Sequence, residues 1–231
     1  MVSRSRDAPL LTTIARAAVR AGLVLLIALA GLLLLYRYVP PVSTLMLARW
    51  TLGETVARTY VPLDRISISL RNAVIVSEDA RFCEHSGVDW GALREVVEEE
   101  GADGPARGAS TIAMQTAKNL FLWPSRSYIR KAIEIPLALL IGLAWPKRHI
   151  LEVYLNIAEW GEGIFGAEAA ARHYFGKSAQ ALDLHESALL ATALPNPRER
   201  SAARPSRLHL LLAARLMARA KRDGGRASCV E

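Results

Sequence analysis

From Ala21 to Leu35 every residue is alanine, glycine, valine, leucine or isoleucine, and Tyr36, Tyr38 and Val39 extend the run around a single Arg37. The stretch 21–39 is close to the ~20 residues that a helix needs to cross the hydrocarbon core of a bilayer. An arginine near the end of such a span can snorkel to the headgroups. This segment divides the chain into a short basic tail at 1–20, a transmembrane helix at 21–39 and a domain at 40–231.

Arg4, Arg6, Arg16 and Arg20 precede the span against one acid, Asp7, so the positive-inside rule places the N-terminus in the cytoplasm and the domain outside. A cleaved signal peptide ranks second, because Ala28-Leu29-Ala30 resembles a small-residue cleavage site but falls inside the unbroken apolar run. A buried core helix is disfavoured, since nothing polar interrupts the run.

The formal net charge of +7 divides unevenly. Five arginines and one aspartate in the first 39 residues carry +4, which leaves +3 for the remainder. A modest surplus suits a domain that works beside anionic headgroups on a phosphorylated substrate. No basic motif interleaved with aromatics accompanies it, so nucleic acid is not an expected partner. Cys83 and Cys229 make neither a disulfide framework nor a zinc pattern. Cys83 is assigned to packing, because no activating pair that would make it a nucleophile stands beside it.

The domain reads as mainly α. Ile150, Leu151, Val153, Tyr154, Ile157 and Ala158 recur at helical spacing, and Leu184 to Leu194 reads as a helix stopped by Pro195 and Pro197. Asn72 to Asp79 is a further expected helix. The run Ile133 to Trp145, broken by Glu134, Pro136 and Gly142, is too short to span a bilayer. It fits a buried core helix, the preferred reading, or an interfacial segment. Gly101 to Gly108, with three glycines and a proline, is the clearest internal loop, and Ser110 or Thr111 is placed to cap the helix after it. Arg207 to Arg222 is a basic amphipathic stretch expected to pack on the domain with its arginines in water.

Five polar signatures fall in order across this domain. They are Ser77-Glu78-Asp79-Ala80-Arg81-Phe82-Cys83-Glu84-His85-Ser86-Gly87-Val88-Asp89, Gly108-Ala109-Ser110-Thr111-Ile112-Ala113-Met114-Gln115, Arg130-Lys131-Ala132-Ile133-Glu134, Ile150-Leu151-Glu152-Val153-Tyr154-Leu155-Asn156 and His173-Tyr174-Phe175-Gly176. In this order and spacing the segment 63–197 closely resembles the monofunctional biosynthetic peptidoglycan transglycosylases, the glycosyltransferases that polymerise lipid II. The resemblance implies a lysozyme-like, mostly α domain on the outer face of the plasma (inner) membrane, engaged in wall synthesis and in maintaining cell shape. It also implies β-1,4 bonds formed with inversion, release of undecaprenyl diphosphate, and contacts with lipid II, the nascent glycan strand and membrane lipid. Contacts with other wall-synthesis or division proteins through the membrane helix are a further expectation of the same kind.

Forming a glycosidic bond needs a base for the incoming hydroxyl and stabilisation of the departing group. Two carboxylates can divide this work; inverting glycosidases hold theirs roughly 6.5–9.5 Å apart to admit a water, where a transferase would admit an acceptor sugar. The resemblance assigns the base to Glu78 and the second catalytic carboxylate to Glu134. Asp79, Arg81 and His85 crowd Glu78 with charge able to shift its pKa. Glu134 stands four residues after Arg130, which alone would be an ordinary helical pair, but it enters an otherwise apolar run where an acid needs a reason.

Lys118, Arg126, Arg130 and Lys131 cluster where a pyrophosphate leaving group needs cations, and the resemblance places phosphate contacts at Lys118 and Arg126. Ser110, Thr111 and Gln115 can offer hydrogen bonds to sugar or phosphate. Ala113 and Met114 depart from the family form, which has a hydroxyl residue and a glutamine there. Asp79, Phe82, His85, Gly87, Asp89, Glu152 and Asn156 are expected to shape the site, with His85 hydrogen-bonded rather than ligating a metal. No cofactor is required; a divalent cation such as magnesium is a candidate at the pyrophosphate, and no dedicated metal cage is visible. The Ser-x-x-Lys, Ser-x-Asn and Lys-Thr-Gly motifs of a transpeptidase are absent from the sequence, so crosslinking and acylation by β-lactams are not expected. Two rivals remain. One is a lysozyme-like hydrolase or lytic transglycosylase, which would need no pyrophosphate site; the other is an inactive membrane-anchored scaffold, which would not need both glutamates.

Overall fold

The computed structural model describes residues 8–100, 110–125, 127–222 and 224–230. Arg4, Arg6, Asp7, the loop Gly101 to Gly108 and Arg126 therefore lie outside the described residues. The chain divides into two compact units, Met1–Val39 and Pro40–Glu231.

The first unit is one helix, α1 (Ala8–Leu35), of which Thr12–Leu35 is long and apolar enough to cross a membrane. Leu23, Val24, Leu25, Leu26 and Ile27 are all exposed on it. The helix starts well before Ala21 and stops at Leu35, where Tyr36 to Tyr38 form a turn. Its start takes in Thr12 to Arg20, a stretch without proline or glycine to break it.

The second unit is built from helices around an aliphatic core. Its elements are α2 (Thr44–Thr51), β1 (Ala57–Arg58), α3 (Ile68–Glu78), α4 (Trp90–Glu100), α5 (Ile112–Phe121), α6 (Tyr128–Ala144), α7 (Lys147–Ile157), β2 (Glu159–Gly161), β3 (Ile164–Phe165), α8 (Ala167–Phe175), α9 (Leu184–Ala193) and α10 (Arg207–Arg222). Serine and threonine side chains set where several helices begin: Ser43, Ser67, Thr111 and Ser127 each accept from the backbone N–H three residues on. Asp183 and Glu186 form a reciprocal capping box at α9. The strands make one small sheet in the order β1-β3-β2, with β1 parallel and β2 antiparallel to β3.

α3 packs against α9 and α10, and α5 packs against α6 and α7, so the C-terminal end of α3 and the start of α5 meet near the middle of the domain. Leu70, Val74, Ile75, Ile112, Met114, Ile150 and Tyr154 are buried there. Glu152 and Asn156 serve this scaffold. Glu152 accepts from the Tyr60 hydroxyl (3.0 Å) and the Leu63 N–H (2.8 Å), while the Asn156 amide exchanges two hydrogen bonds with the Val61 backbone. Together they pin the segment before α3 onto α7.

Two expectations are corrected. The run Ile133 to Trp145 is not a buried core helix: on α6 only Glu134, Ala138 and Ile141 are buried, whereas Tyr128, Ile129, Ile133 and Leu143 are exposed, Leu143 at 80%. The buried positions follow the i, i+4, i+7 period, so the apolar composition concealed an amphipathic arrangement with an apolar outer face. Cys83 is not a simple packing residue, because it forms a disulfide with Cys229. That bond fastens the C-terminal 3-10 turn Gly224–Val230, which packs on α3 and α7, to the loop following Glu78.

α10 packs on α9 and α3 as expected, burying His209, Ala213, Leu216 and Ala220 and leaving Arg207 and Arg215 exposed.

Candidate active site

Glu78 is the last residue of α3, and Asp79 breaks the helix with an extended φ of −160°. The chain then runs through a tight loop that returns to α4. Asp79 holds that loop from inside: one carboxylate oxygen accepts from the Ile112 N–H at 3.0 Å, and the other lies 2.9 Å from His85 Nε2.

Arg81 grips Asp89 through two hydrogen bonds of 2.7 and 2.9 Å, and Asp89 also accepts from the Ala92 N–H at the start of α4. Burial works against the Asp89 carboxylate, but those hydrogen bonds hold its pKa below the usual range. Phe82 is fully buried, with the Lys147 ammonium 4.3 Å from its ring centre.

Gly87 is required where it stands. Its φ is +96°, and a Cβ there would come within 2.3 Å of the Ala138 carbonyl oxygen. The Gly87 carbonyl accepts from Thr111 Oγ1 at 2.6 Å, and the same oxygen of Thr111 caps α5 by accepting from the Met114 N–H. The loop after Glu78 is thereby tied both to α5 and to α6.

The half-buried carboxylate of Glu78 meets mainly neutral groups. One oxygen accepts from Gln115 Nε2 at 3.0 Å and the other from the Ser77 hydroxyl at 3.3 Å. Gln115 is itself oriented by Tyr154, whose hydroxyl donates to Gln115 Oε1 at 2.9 Å. Burial raises the Glu78 pKa above the ordinary value. The Gln115 and Ser77 hydrogen bonds and the more distant Lys118 charge offset that only in part, and Asp79 adds to it. Burial also raises Tyr154 well above its usual value, so it remains a hydroxyl donor.

Tyr154 escaped the sequence reading as a site residue. Its signal was a phenol on the aliphatic face of α7, where a buried hydroxyl needs a partner. Tyr154→Phe is expected to lower turnover about tenfold while leaving the thermal midpoint nearly unchanged, since it frees Gln115 to rotate without opening a cavity. Steady-state rates and a melting curve check this.

One cavity is lined by Glu78, and a second is lined by Gln115, the residue that hydrogen-bonds Glu78. The larger, about 440 Å³, is walled by Glu78, Arg81, Asp89, Ser110, Thr111 and Arg219 among others. The second, about 310 Å³, is lined by Gln115, Lys118, Trp123, Arg130 and Tyr154 among others. Burial lowers the Lys118 pKa, with Glu134 pulling it back up. Glu134 is only 2% exposed, and both its oxygens are engaged, one by Arg130 Nη1 and the other by Lys131 Nζ at 3.0 Å. Lys131 also donates to Ser110 Oγ at 2.6 Å. Every described residue assigned to substrate in the sequence, Ser110, Thr111, Gln115, Lys118, Arg130 and Lys131, is thus in or beside these cavities. Ala113 and Met114 are wholly buried and line neither. Glu152 and Asn156 also stand away from both.

The domain is thus mostly helical, with Glu78 lining one cavity and Lys118 and Arg130 lining another. The transglycosylase family pattern matches residues 45–220, and the chain belongs to that family. It is 53% identical over 219 residues to the biosynthetic peptidoglycan transglycosylase of Rhodospirillum centenum, covering 93% of this chain and 94% of that one. It is 51% identical over 208 residues to the protein of the same description from Rhizobium meliloti, covering 90% and 88%, and 49% identical over 216 residues to that from Brucella suis, covering 93% and 96%.

Proposed function

We propose that this chain polymerises peptidoglycan glycan strands from lipid II, with Glu78 as the general base. The observation that carries the reading is the Glu78 carboxylate itself, raised in pKa, held by neutral donors and open to a cavity, beside a separate cluster of cations. A base works best when its pKa approaches the working pH.

In the proposed step the 4-hydroxyl of the acceptor's terminal N-acetylglucosamine gives its proton to Glu78. Its oxygen attacks the anomeric carbon of the lipid-linked donor, and the bond from that carbon to the pyrophosphate oxygen breaks. The electron pair leaves with the pyrophosphate, and the α-linked donor gives a β-linkage. Lys118 and Arg130 face the cavity where that charge develops. Glu134 would have to break two ion pairs to move a proton. Its part in the reaction is to position Arg130 and Lys131. A cutting enzyme has no use for this cation cluster, because a sugar–sugar bond leaves no pyrophosphate. Among the described residues no group of three or more His, Cys, Asp or Glu could hold a metal ion, so a divalent cation would enter on the pyrophosphate's own oxygens.

α1 is consistent with a membrane anchor, and the arginines before it favour a cytoplasmic N-terminus. The disulfide supports an oxidising, extracytoplasmic setting for the domain. The apolar outer face of α6 suits contact with the bilayer surface.

The sign of the pH dependence follows from Glu78. The base must be deprotonated, so the rate falls as pH drops through its pKa, and that acid limb lies above the range of an ordinary carboxylate. A rate profile for lipid II polymerisation whose acid limb fell at an unperturbed carboxylate value would contradict the assignment. Analysis of the product linkage tests the reaction: a β-1,4 polymer is expected, with one undecaprenyl diphosphate released per bond, and retention of the α configuration would rule the step out.

A further inference from the structure

Lys147 begins α7, and its place there works against a charge. The N-terminal end of a helix is its positive end, and the first turn of α7 carries no acid. Lys147 Nζ is buried and has no hydrogen-bond partner among the described residues. Burial pushes its pKa below the usual lysine value. The next two residues of the helix do have partners. Arg148 pairs with Asp64 and donates to the Val230 carbonyl at 3.1 Å, and the His149 ring meets that of Trp145 edge-on, 4.9 Å between centres. Lys147 lines neither the cavity that holds Glu78 nor the one beside Gln115, so it touches nothing bound in either.

Two groups offset the cost of that ammonium, and both belong to the loop that follows Glu78. One is the face of Phe82, whose ring centre lies 4.3 Å from Nζ. The other is the Asp79 carboxylate, the charge that favours the ammonium form. Asp79 is buried, and among the described residues it pairs directly with no lysine or arginine; its close partners are the Ile112 N–H and His85. Phe82 is tied to the same point. Its N–H donates to the Asp79 carbonyl at 2.9 Å, and its ring meets that of His85 edge-on, 6.5 Å between centres. The Lys147 charge therefore bears on Phe82, His85 and Asp79 together, directly behind Glu78. Tyr154 stands seven residues further along α7, two turns on and on the same side, and it holds Glu78 through Gln115. We propose that Lys147 is a positioning residue for Glu78: its ammonium, set against Phe82, clamps the loop 79–89 to α7 and supplies the counter-charge of Asp79. The role rests on the assignment of Glu78 as base, whereas the clamp on the loop can be read without it.

Lys147→Met keeps an unbranched apolar stem against Phe82 and removes the charge. In the detergent-purified full-length chain its kcat on lipid II is expected to fall about tenfold, with KM changed less than about twofold, because the base is misplaced while the substrate contacts stand. The thermal midpoint should be unchanged or higher, since a lysine held below its usual pKa costs the folded state stability at neutral pH. Lys147→Arg, whose guanidinium also stacks on an aromatic face, should recover at least about a third of wild-type kcat. A methionine variant within about twofold of wild-type kcat overturns the proposal, as does an arginine variant no better than the methionine one. A fall in kcat accompanied by a lower midpoint also overturns it, since that is a loss of structure. Hydrogen exchange read by mass spectrometry follows the loop without polymerisation: amides of residues 79–89 should exchange about tenfold faster in Lys147→Met, with those of α9 unchanged. Equal exchange overturns the clamp. If the wild type makes no polymer, the polymerase reading fails, and the exchange result alone decides whether Lys147 holds the loop.

Discussion

Glu78→Gln should abolish polymerisation, with the turnover number falling by about three orders of magnitude, while the protein folds as well as the wild type or better. The first half follows from the loss of the base, whose contribution is typically ~10²–10⁴-fold. The second half follows from the direction of the pKa shift. A carboxyl whose folded pKa is raised stabilises the fold below its unfolded pKa, and that contribution is lost as pH rises through the folded value. At neutral pH the Glu78 carboxylate therefore costs stability, and a neutral amide of the same shape removes that cost. Loss of activity with an unchanged or higher melting temperature would separate a chemical role from a structural one. A variant that retained more than about a tenth of wild-type turnover would remove Glu78 from the mechanism.

Breaking the link between Cys83 and Cys229 should have the largest effect on stability. The two cysteines are 146 positions apart, and closing so long a loop restricts the unfolded chain by about 5 kcal/mol in the chain-entropy account, with about 2–5 kcal/mol the usual measured loss. Cys83→Ser/Cys229→Ser should lower the thermal midpoint by on the order of 10 °C for a domain of this size. Because Cys83 lies in the loop that Asp79, Thr111 and Gly87 hold beside Glu78, turnover should fall as well. Trapping thiols in intact cells provides the complementary observation. A bond found fully oxidised fits an extracytoplasmic domain, whereas two free thiols would contradict both the bond and the proposed orientation.

Much of the site could be read from the chain because its polar residues are local. Glu78 through Asp89 form one loop, Thr111 and Gln115 share one helix, and Arg130, Lys131 and Glu134 sit within a single helical turn, so sequence spacing carries their proximity directly. What could not be read depends on long-range closure. Nothing in the spacing of Cys83 and Cys229 joins the first signature to the last turn of the chain. The Tyr154, Gln115 and Glu78 relay needs α7 packed on α5, which one sequence does not reveal. A cavity between α3, α9 and α10 likewise gathers Arg200 from a loop and Arg215 and Arg219 from α10 onto the end of α3. α6 failed for a different reason. Its apolar composition dominated the reading, although the burial of Glu134, Ala138 and Ile141 follows a period already present in the sequence.

The central claim, that this domain joins lipid-linked saccharides with Glu78 as base, is tested most directly by incubating the detergent-purified full-length chain with labelled lipid II and digesting any product with lysozyme. The account predicts long, lysozyme-sensitive polymer from the wild type and none from Glu78→Gln. Absence of polymer from the wild type, with shortened fragments produced instead from preformed glycan, would contradict it.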